Sequence, residues 1–117
     1  MSDAPQPLKI TVTNDPGGVL VSLAGEIDLR SSPTLRTELL QIGERKAARV
    51  IISLEGVNYV DSSGVGTLVE FKRRSERGGG GRVVLVGLQP RVRSVFEITK
   101  LDQFFTIATS LDEARKK

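Results

Sequence analysis

Apolar residues recur along the chain with two different periods. Residues 9–14 alternate, with Ile10 and Val12 on one side, which predicts an edge strand with one buried face. Asp15-Pro16-Gly17-Gly18 is a turn sequence, and residues 19–23 resume a strand, so the chain opens on a hairpin. Gly25-Glu26-Ile27-Asp28 is expected to leave the sheet. Ser31-Ser32-Pro33 predicts a helix start, with a hydroxyl cap and proline at the first helical position. Leu35, Leu39 and Ile42 then form one apolar stripe at i, i+4 and i+7. Residues 49–54 are a short, continuous, β-branched apolar run, the pattern of a strand covered on both faces beside a parallel neighbour.

Residues 57–60 lead into Asp61-Ser62-Ser63-Gly64, where a second helical pattern begins. Val65, Leu68, Val69 and the stem of Lys72 share one side, and the helix runs out at Arg77, where Gly78 can take the left-handed cap. Residues 82–87 are another buried strand. Pro90 opens a third helix with Val92, Val95, Phe96 and Thr99 on one side, and residues 104–108 form a short strand. Ser110 and Glu113 have the spacing of a capping box for a last short helix. The expected order is β-β-α-β-α-β-α-β-α. That order predicts one α/β domain, a mixed sheet with an opening antiparallel hairpin and helices packed on it. At 117 residues, a single domain is also what the length implies. Residues 1–7 are expected to be a flexible N-terminus, 8–114 the domain and 115–117 a basic tail.

Composition narrows the chemistry sharply. The chain has no cysteine, histidine or tryptophan. A disulfide framework, a Cys/His zinc site, a thiol nucleophile and a Ser-His-Asp triad are therefore excluded. Carboxylate chemistry, hard-metal or phosphate binding, or no catalysis remain. The absence of cysteine fits a reducing cytoplasm. No apolar run approaches the ~20 residues of a membrane span, and the N-terminus carries no signal-peptide pattern.

The net charge of +3 is local in origin. Residues 72–93 carry seven cations (Lys72, Arg73, Arg74, Arg77, Arg82, Arg91 and Arg93) against Glu76 alone, leaving the rest slightly acidic. With five aromatic residues in the chain and none interleaved in this band, single-strand stacking and an RNA-binding sheet face are disfavoured. The band reads either as a solvated helix end, with Arg73, Arg74 and Arg77 offsetting the dipole, or as a docking face for an acidic protein.

Two segments carry candidate chemistry. Asp61-Ser62-Ser63-Gly64-Val65-Gly66 joins a strand end to a helix start, where ligands gather in open α/β sheets. It reads as an ordinary N-cap or as a functional hydroxyl, with free N–H groups and the helix dipole favouring an attached phosphate. Gly64 and Gly66 in the first turn point to close approach of another group. Glu26 and Asp28 form the second candidate. They read as a solvated turn, a cation site, or a docking point for a partner's cation.

Taken together, Gly25-Glu26-Ile27-Asp28 and Val60-Asp61-Ser62-Ser63-Gly64-Val65-Gly66 resemble the bacterial anti-sigma factor antagonists of the STAS domain family. Phe96-Glu97-Ile98-Thr99 and Ser110-Leu111-Asp112-Glu113-Ala114 resemble its C-terminal part, so the resemblance runs from about Leu8 to Ala114. It implies a STAS-like fold and a binding module rather than an enzyme, with no cofactor or bound metal. Ser62 corresponds to the serine phosphorylated by an anti-sigma factor serine kinase and reset by a serine phosphatase. Asp28 matches a position implicated in partner docking; Asp61, Ser63, Gly64 and Glu26 complete the implied partner-binding set. The unphosphorylated form would sequester the kinase and release a sigma factor. The resemblance implies a cytoplasmic protein, monomeric when free, without direct nucleic-acid binding. The alternative is a STAS subunit of another assembly, such as a lipid-transport ATPase complex or a stress-signalling scaffold. The segment after the second helix is more basic than the family pattern.

Overall fold

The computed structural model describes residues 7–78 and 81–117. The hairpin forms from β1 (Lys9–Asp15) and β2 (Gly18–Ile27), antiparallel and closed at the Asp15↔Gly18 pair. There follow α1 (Ser32–Gly43), β3 (Arg49–Val60), α2 (Ser62–Arg77), β4 (Arg82–Val86), α3 (Pro90–Ile98), β5 (Thr106–Ala108) and α4 (Leu111–Arg115). The strands lie side by side in chain order, and every pairing after the first is parallel. This is the α/β class and mixed sheet expected from the pattern.

Period-two alternation sorts the strand side chains onto two faces. Val21, Leu23, Val50, Ile52, Leu54, Val83 and Leu85 point to one face. There they meet Leu35, Leu39 and Ile42 of α1, Val65, Leu68 and Phe71 of α2, and Val92 and Phe96 of α3. Ile51, Val84 and Val86 point to the other face and pack with Ala114 and Leu111 of α4. Each fully buried leucine or phenylalanine stabilises the fold by roughly 1.5–3 kcal/mol relative to exposure.

The largest departure from expectation lies in β2 and β3. Both run several residues farther than their alternation shows, pairing through Ala24↔Gly56, Gly25↔Val57, Glu26↔Tyr59 and Ile27↔Val60. Register shifts at Ser22/Ala24 and Gly25/Glu26 break the two-residue period, so the segment resembles a loop when read locally. Gly25 has φ +114°, and a Cβ there would sit 2.6 Å from the Pro7 carbonyl oxygen, so glycine is required. The consequence reaches the site: β2 and β3 end level with each other, and Asp28 and Asp61 emerge at one edge.

Several caps also differ. Ser31 does not cap α1 with its side chain. Its hydroxyl instead donates to the Glu26 carbonyl oxygen (2.8 Å) and accepts from the Asp28 N–H (3.0 Å). Gly78 has φ −76°, so α2 ends without a left-handed cap. Glu113 N–H donates to Ser110 Oγ (3.1 Å), but the Glu113 carboxylate accepts from Thr109 N–H (2.7 Å) rather than closing the box on Ser110. Phe71, which the stripe did not include, is buried in α2. Most of the stretch expected to be a flexible N-terminus, residues 1–6, and Gly79 and Gly80 lie outside the described residues.

Candidate functional site

The site is built where β2 and β3 finish and α1 and α2 begin. The Asp61 N–H donates to the Ile27 carbonyl oxygen (3.1 Å), extending the strand pairing by one bond. Asp61 then turns its carboxylate back over the start of α2. Its Oδ1 accepts from the N–H groups of Ser63 (2.9 Å) and Gly64 (3.2 Å) and from the Ser63 hydroxyl (2.6 Å). Ser63 Oγ also lies 3.0 Å from Ser32 Oγ, the buried hydroxyl that opens α1. A chain of polar contacts thus runs from α2 across to α1.

The two adjacent serines have opposite fates. Ser63 is engaged on both sides, whereas Ser62 is exposed, and among the described residues no hydrogen bond engages its hydroxyl. The N-cap, Asp61, and the exposed hydroxyl, Ser62, which the sequence left as rival readings of one motif, are different residues. The expectation of free N–H groups is corrected for the residues that follow Ser62. Those of Ser63 and Gly64 belong to Asp61, and the Val65 N–H belongs to the Asp61 carbonyl (3.0 Å).

Gly64 is buried, and a Cβ on it would lie 2.5 Å from Ile27 Cγ2 and 2.8 Å from Val60 Cγ2. Its smallness lets α2 seat on the strand ends, so the close approach inferred for it is internal. Gly66 differs: a Cβ there would meet nothing within 4 Å, and the residue faces outward.

Asp28 sits across from Asp61 in a turn it holds together. Its Oδ1 accepts from the Arg30 N–H (2.9 Å) and the Ser31 N–H (3.3 Å), and its Oδ2 from the Arg30 guanidinium (2.6 Å). That guanidinium hydrogen bond, with the two amides, holds the Asp28 carboxyl below the usual aspartate range, against an opposing effect of desolvation. Glu26 lies 3.8 Å from the same guanidinium. The two carboxylates therefore face a cation supplied by the chain itself. Among the described residues no group of three or more potential ligands is placed to hold a metal ion.

Sequence reading missed four residues here. Ser32 and Arg30 act through partners that only folding supplies. Leu29 and Tyr59 leave large apolar side chains exposed, at 76% and 42%, beside Asp28 and Val60. An isolated leucine inside the polar run Asp28-Leu29-Arg30 was the only signal available, and it is a weak one.

The fold and these motifs match a known family over residues 9–114: the STAS domain. The chain belongs to the STAS domain family. This STAS domain is 34% identical to the anti-sigma-B factor antagonist of Bacillus subtilis over 102 residues, 86% of this chain and 91% of that protein. It superposes on an anti-sigma factor antagonist from Mycobacterium paratuberculosis with a TM-score of 0.84 and 26% identity, covering 97% and 95% of the two chains. It is also similar to the anti-sigma factor antagonist SpoIIAA in its unphosphorylated form, with a TM-score of 0.75, 25% identity and coverage of 93% and 98%. SpoIIAA in its phosphorylated form shares the fold, with a TM-score of 0.69 and 24% identity over 92% and 98% of the two chains.

The basic band of this STAS domain is not one surface. Arg82 and Arg91 flank opposite ends of β4. Lys72 is buried, paired with Glu76 and laid over the Phe104 ring at 4.7 Å. Arg74 turns toward Glu70 (3.7 Å), which also receives Arg36 of α1 (2.8 Å). Arg73 and Arg77 remain exposed on α2. No helix among the described residues is long and apolar enough to cross a membrane.

Proposed function

We propose that this STAS domain is an anti-sigma factor antagonist switched by phosphorylation of Ser62. The unphosphorylated form binds an anti-sigma factor serine kinase and so releases a sigma factor. Phosphorylation ends that binding, and a serine phosphatase restores it. The protein acts in the cytoplasm, as a monomer when free, and as a regulatory binding module rather than an enzyme. The observation that carries this reading is the exposed Ser62 hydroxyl beside a Ser63 hydroxyl already engaged by Asp61 and Ser32. The named relatives support it, since they are anti-sigma factor antagonists and one of them is solved in both phosphorylation states. Asp28, Glu26, Leu29 and Tyr59, at the same strand-end edge as Ser62, form the surface that meets the partner.

The switch works through the interface. A phosphoserine carries about −1.5 to −2 charge at pH 7. Because Asp61 already holds the Ser63 and Gly64 N–H groups, the phosphoryl group projects outward instead of being cradled by them. It lands beside the Asp61 carboxylate, so the edge becomes strongly anionic without any demand on the core. Phosphorylation therefore repels the partner and removes packing against Ser62 while the fold persists.

The test is incubation with Mg-ATP and an anti-sigma factor serine kinase, with the phosphate mapped by mass spectrometry. One phosphate on Ser62, and none on Ser62→Ala, is expected. Ser62→Asp should weaken kinase binding by about tenfold or more, as a like charge placed at an interface does. Equal phosphorylation of the parent and Ser62→Ala overturns the assignment.

A further inference from the structure

The helical projection of α2 joins Ser62 to two of the cations that the sequence grouped only by proximity. At 100° per residue, Ser62, Gly66, Val69, Arg73 and Arg77 fall within a stripe about 80° wide. Ser62, Gly66, Arg73 and Arg77 are exposed, and half-buried Val69 marks the side on which this exposed stripe meets the core. The half near Ser62 is low: a Cβ on Gly66 would meet nothing within 4 Å. The other half is cationic. Arg73 lies about 16 Å from Ser62 along the axis, at 1.5 Å per residue.

This cationic half is organised. The Arg73 guanidinium is held over the Phe104 ring at 5.6 Å, which fixes its direction, and among the described residues its N–H groups have no hydrogen-bond acceptor. Arg77 leans back along the helix, its Nε donating to the Arg73 carbonyl oxygen at 3.4 Å. Arg73, Glu76 and Arg77 line a shallow notch, and Lys72 engages the Glu76 carboxylate from the buried side. Among the described residues neither Arg73 nor Arg77 forms a salt bridge, whereas Arg74, one position off the stripe, is paired with Glu70.

We propose that Arg73 and Arg77 form a second docking point for the protein that engages Ser62, and that this partner presents acidic side chains about 16 Å from the group that meets the serine. The proposal rests on the phosphoswitch reading above. Two preset guanidiniums fit carboxylates, which accept paired N–H donors. They do not make a nucleic-acid surface: two neutralised phosphates contribute little affinity, and the adjacent ring is covered by the arginine and Lys72, leaving no stacking platform. A long-range attraction at the far end of the helix also raises the encounter rate without opposing release, because phosphorylation acts at the other end.

The experiment measures kinase kinetics on the full chain, using the anti-sigma factor kinase that phosphorylates Ser62. Arg73→Glu, Arg77→Glu and their double variant are compared with Arg45→Glu, which makes the same charge change off the stripe. Melting curves confirm that each variant folds, and Arg73→Lys keeps charge while losing the guanidinium fork. The stripe variants should raise KM by about three- to tenfold, leave kcat near the parent value and flatten the salt dependence of association. Arg45→Glu should match the parent. Equal effects on and off the stripe, or an unchanged KM in the double variant, overturn the second docking point while leaving Ser62 intact. Absence of any phosphate on Ser62 overturns both readings. Binding of the parent to DNA or to phosphatidylserine vesicles at physiological salt, lost in the double variant, assigns the stripe to a polyanion and also overturns it.

Discussion

At the edge where β2 and β3 end, carboxylates, hydroxyls and one arginine form a polar network open to solvent. At the opposite edge, Asp15, Arg49 and Arg115 form another that is closed. The Asp15 side chain is only 4% exposed and takes Arg115 through both carboxylate oxygens, at 2.9 to 3.2 Å. Arg49 donates to the carbonyl oxygens of Pro16 and Arg115, and so ties the hairpin turn, β3 and α4 together. Each donor there is spent on an acceptor of the same chain, except Arg49 Nε, which is buried without a partner among the described residues. Such a network holds elements in place and offers nothing to another molecule. The site edge uses the same residue types to a different end. Asp61 spends itself on the cap, Asp28 on its own turn, and Ser63 on Ser32, leaving one exposed hydroxyl in fixed surroundings.

The comparison predicts which changes harm folding and which harm signalling. The largest effect on stability belongs to the closed edge. Asp15→Ala removes the one carboxylate that both Arg49 and Arg115 face, and should lower stability more than either change below. Urea denaturation should show that loss, while the folded fraction is still phosphorylated on Ser62. A stable Asp15→Ala protein with impaired phosphorylation would break the distinction between the two edges.

Asp61→Ala is the intermediate case. Losing an N-cap costs about 1 kcal/mol, and here it also releases the Ser63 hydroxyl on one side, leaving it only its contact with Ser32. Phosphate mapping should then find Ser63 modified alongside Ser62, whereas the parent carries phosphate on Ser62 alone. Unchanged site choice would show that Asp61 caps the helix without selecting the serine.

The smallest effect is electrostatic. The folded pKa of Asp28 lies below its unfolded value because Arg30 bonds the ionised form. Its contribution is therefore present above the unfolded pKa and is lost as pH falls through the folded one. Asp28→Asn should be slightly less stable than the parent at pH 7, and the gap should narrow as pH falls into the acidic range. Urea midpoints at pH 7 and pH 3 check the sign; a gap that widens on acidification contradicts it.

Local patterns were sufficient to place the helices, the hairpin and the central strands. The stripe of Leu35, Leu39 and Ile42 and the run Val50-Ile51-Ile52 are set by which residues face the core, and that periodicity is written in order along the chain. Asp61-Ser62-Ser63-Gly64 was equally legible as a strand-to-helix junction, because a cap needs residues only two and three positions away. Beyond that, folding decided. The continuation of β2 and β3 to Ile27 and Val60 depends on bulges that erase alternation, and the paired strands restore it only in space. Ser62 was separated from Ser63 by Asp61 within the motif and by the Ser32 hydroxyl, which lies 31 residues away in the chain and cannot be read from the motif. The seven cations of residues 72–93 formed one band in sequence, but helix rotation, β4 and the inward turn of Lys72 dispersed them and left Arg73 and Arg77 on the Ser62 face. Sequence determines what is periodic or adjacent. Which groups are already engaged and which remain free for a partner is a property of distant residues brought within hydrogen-bond reach, and only the tertiary structure assigns it.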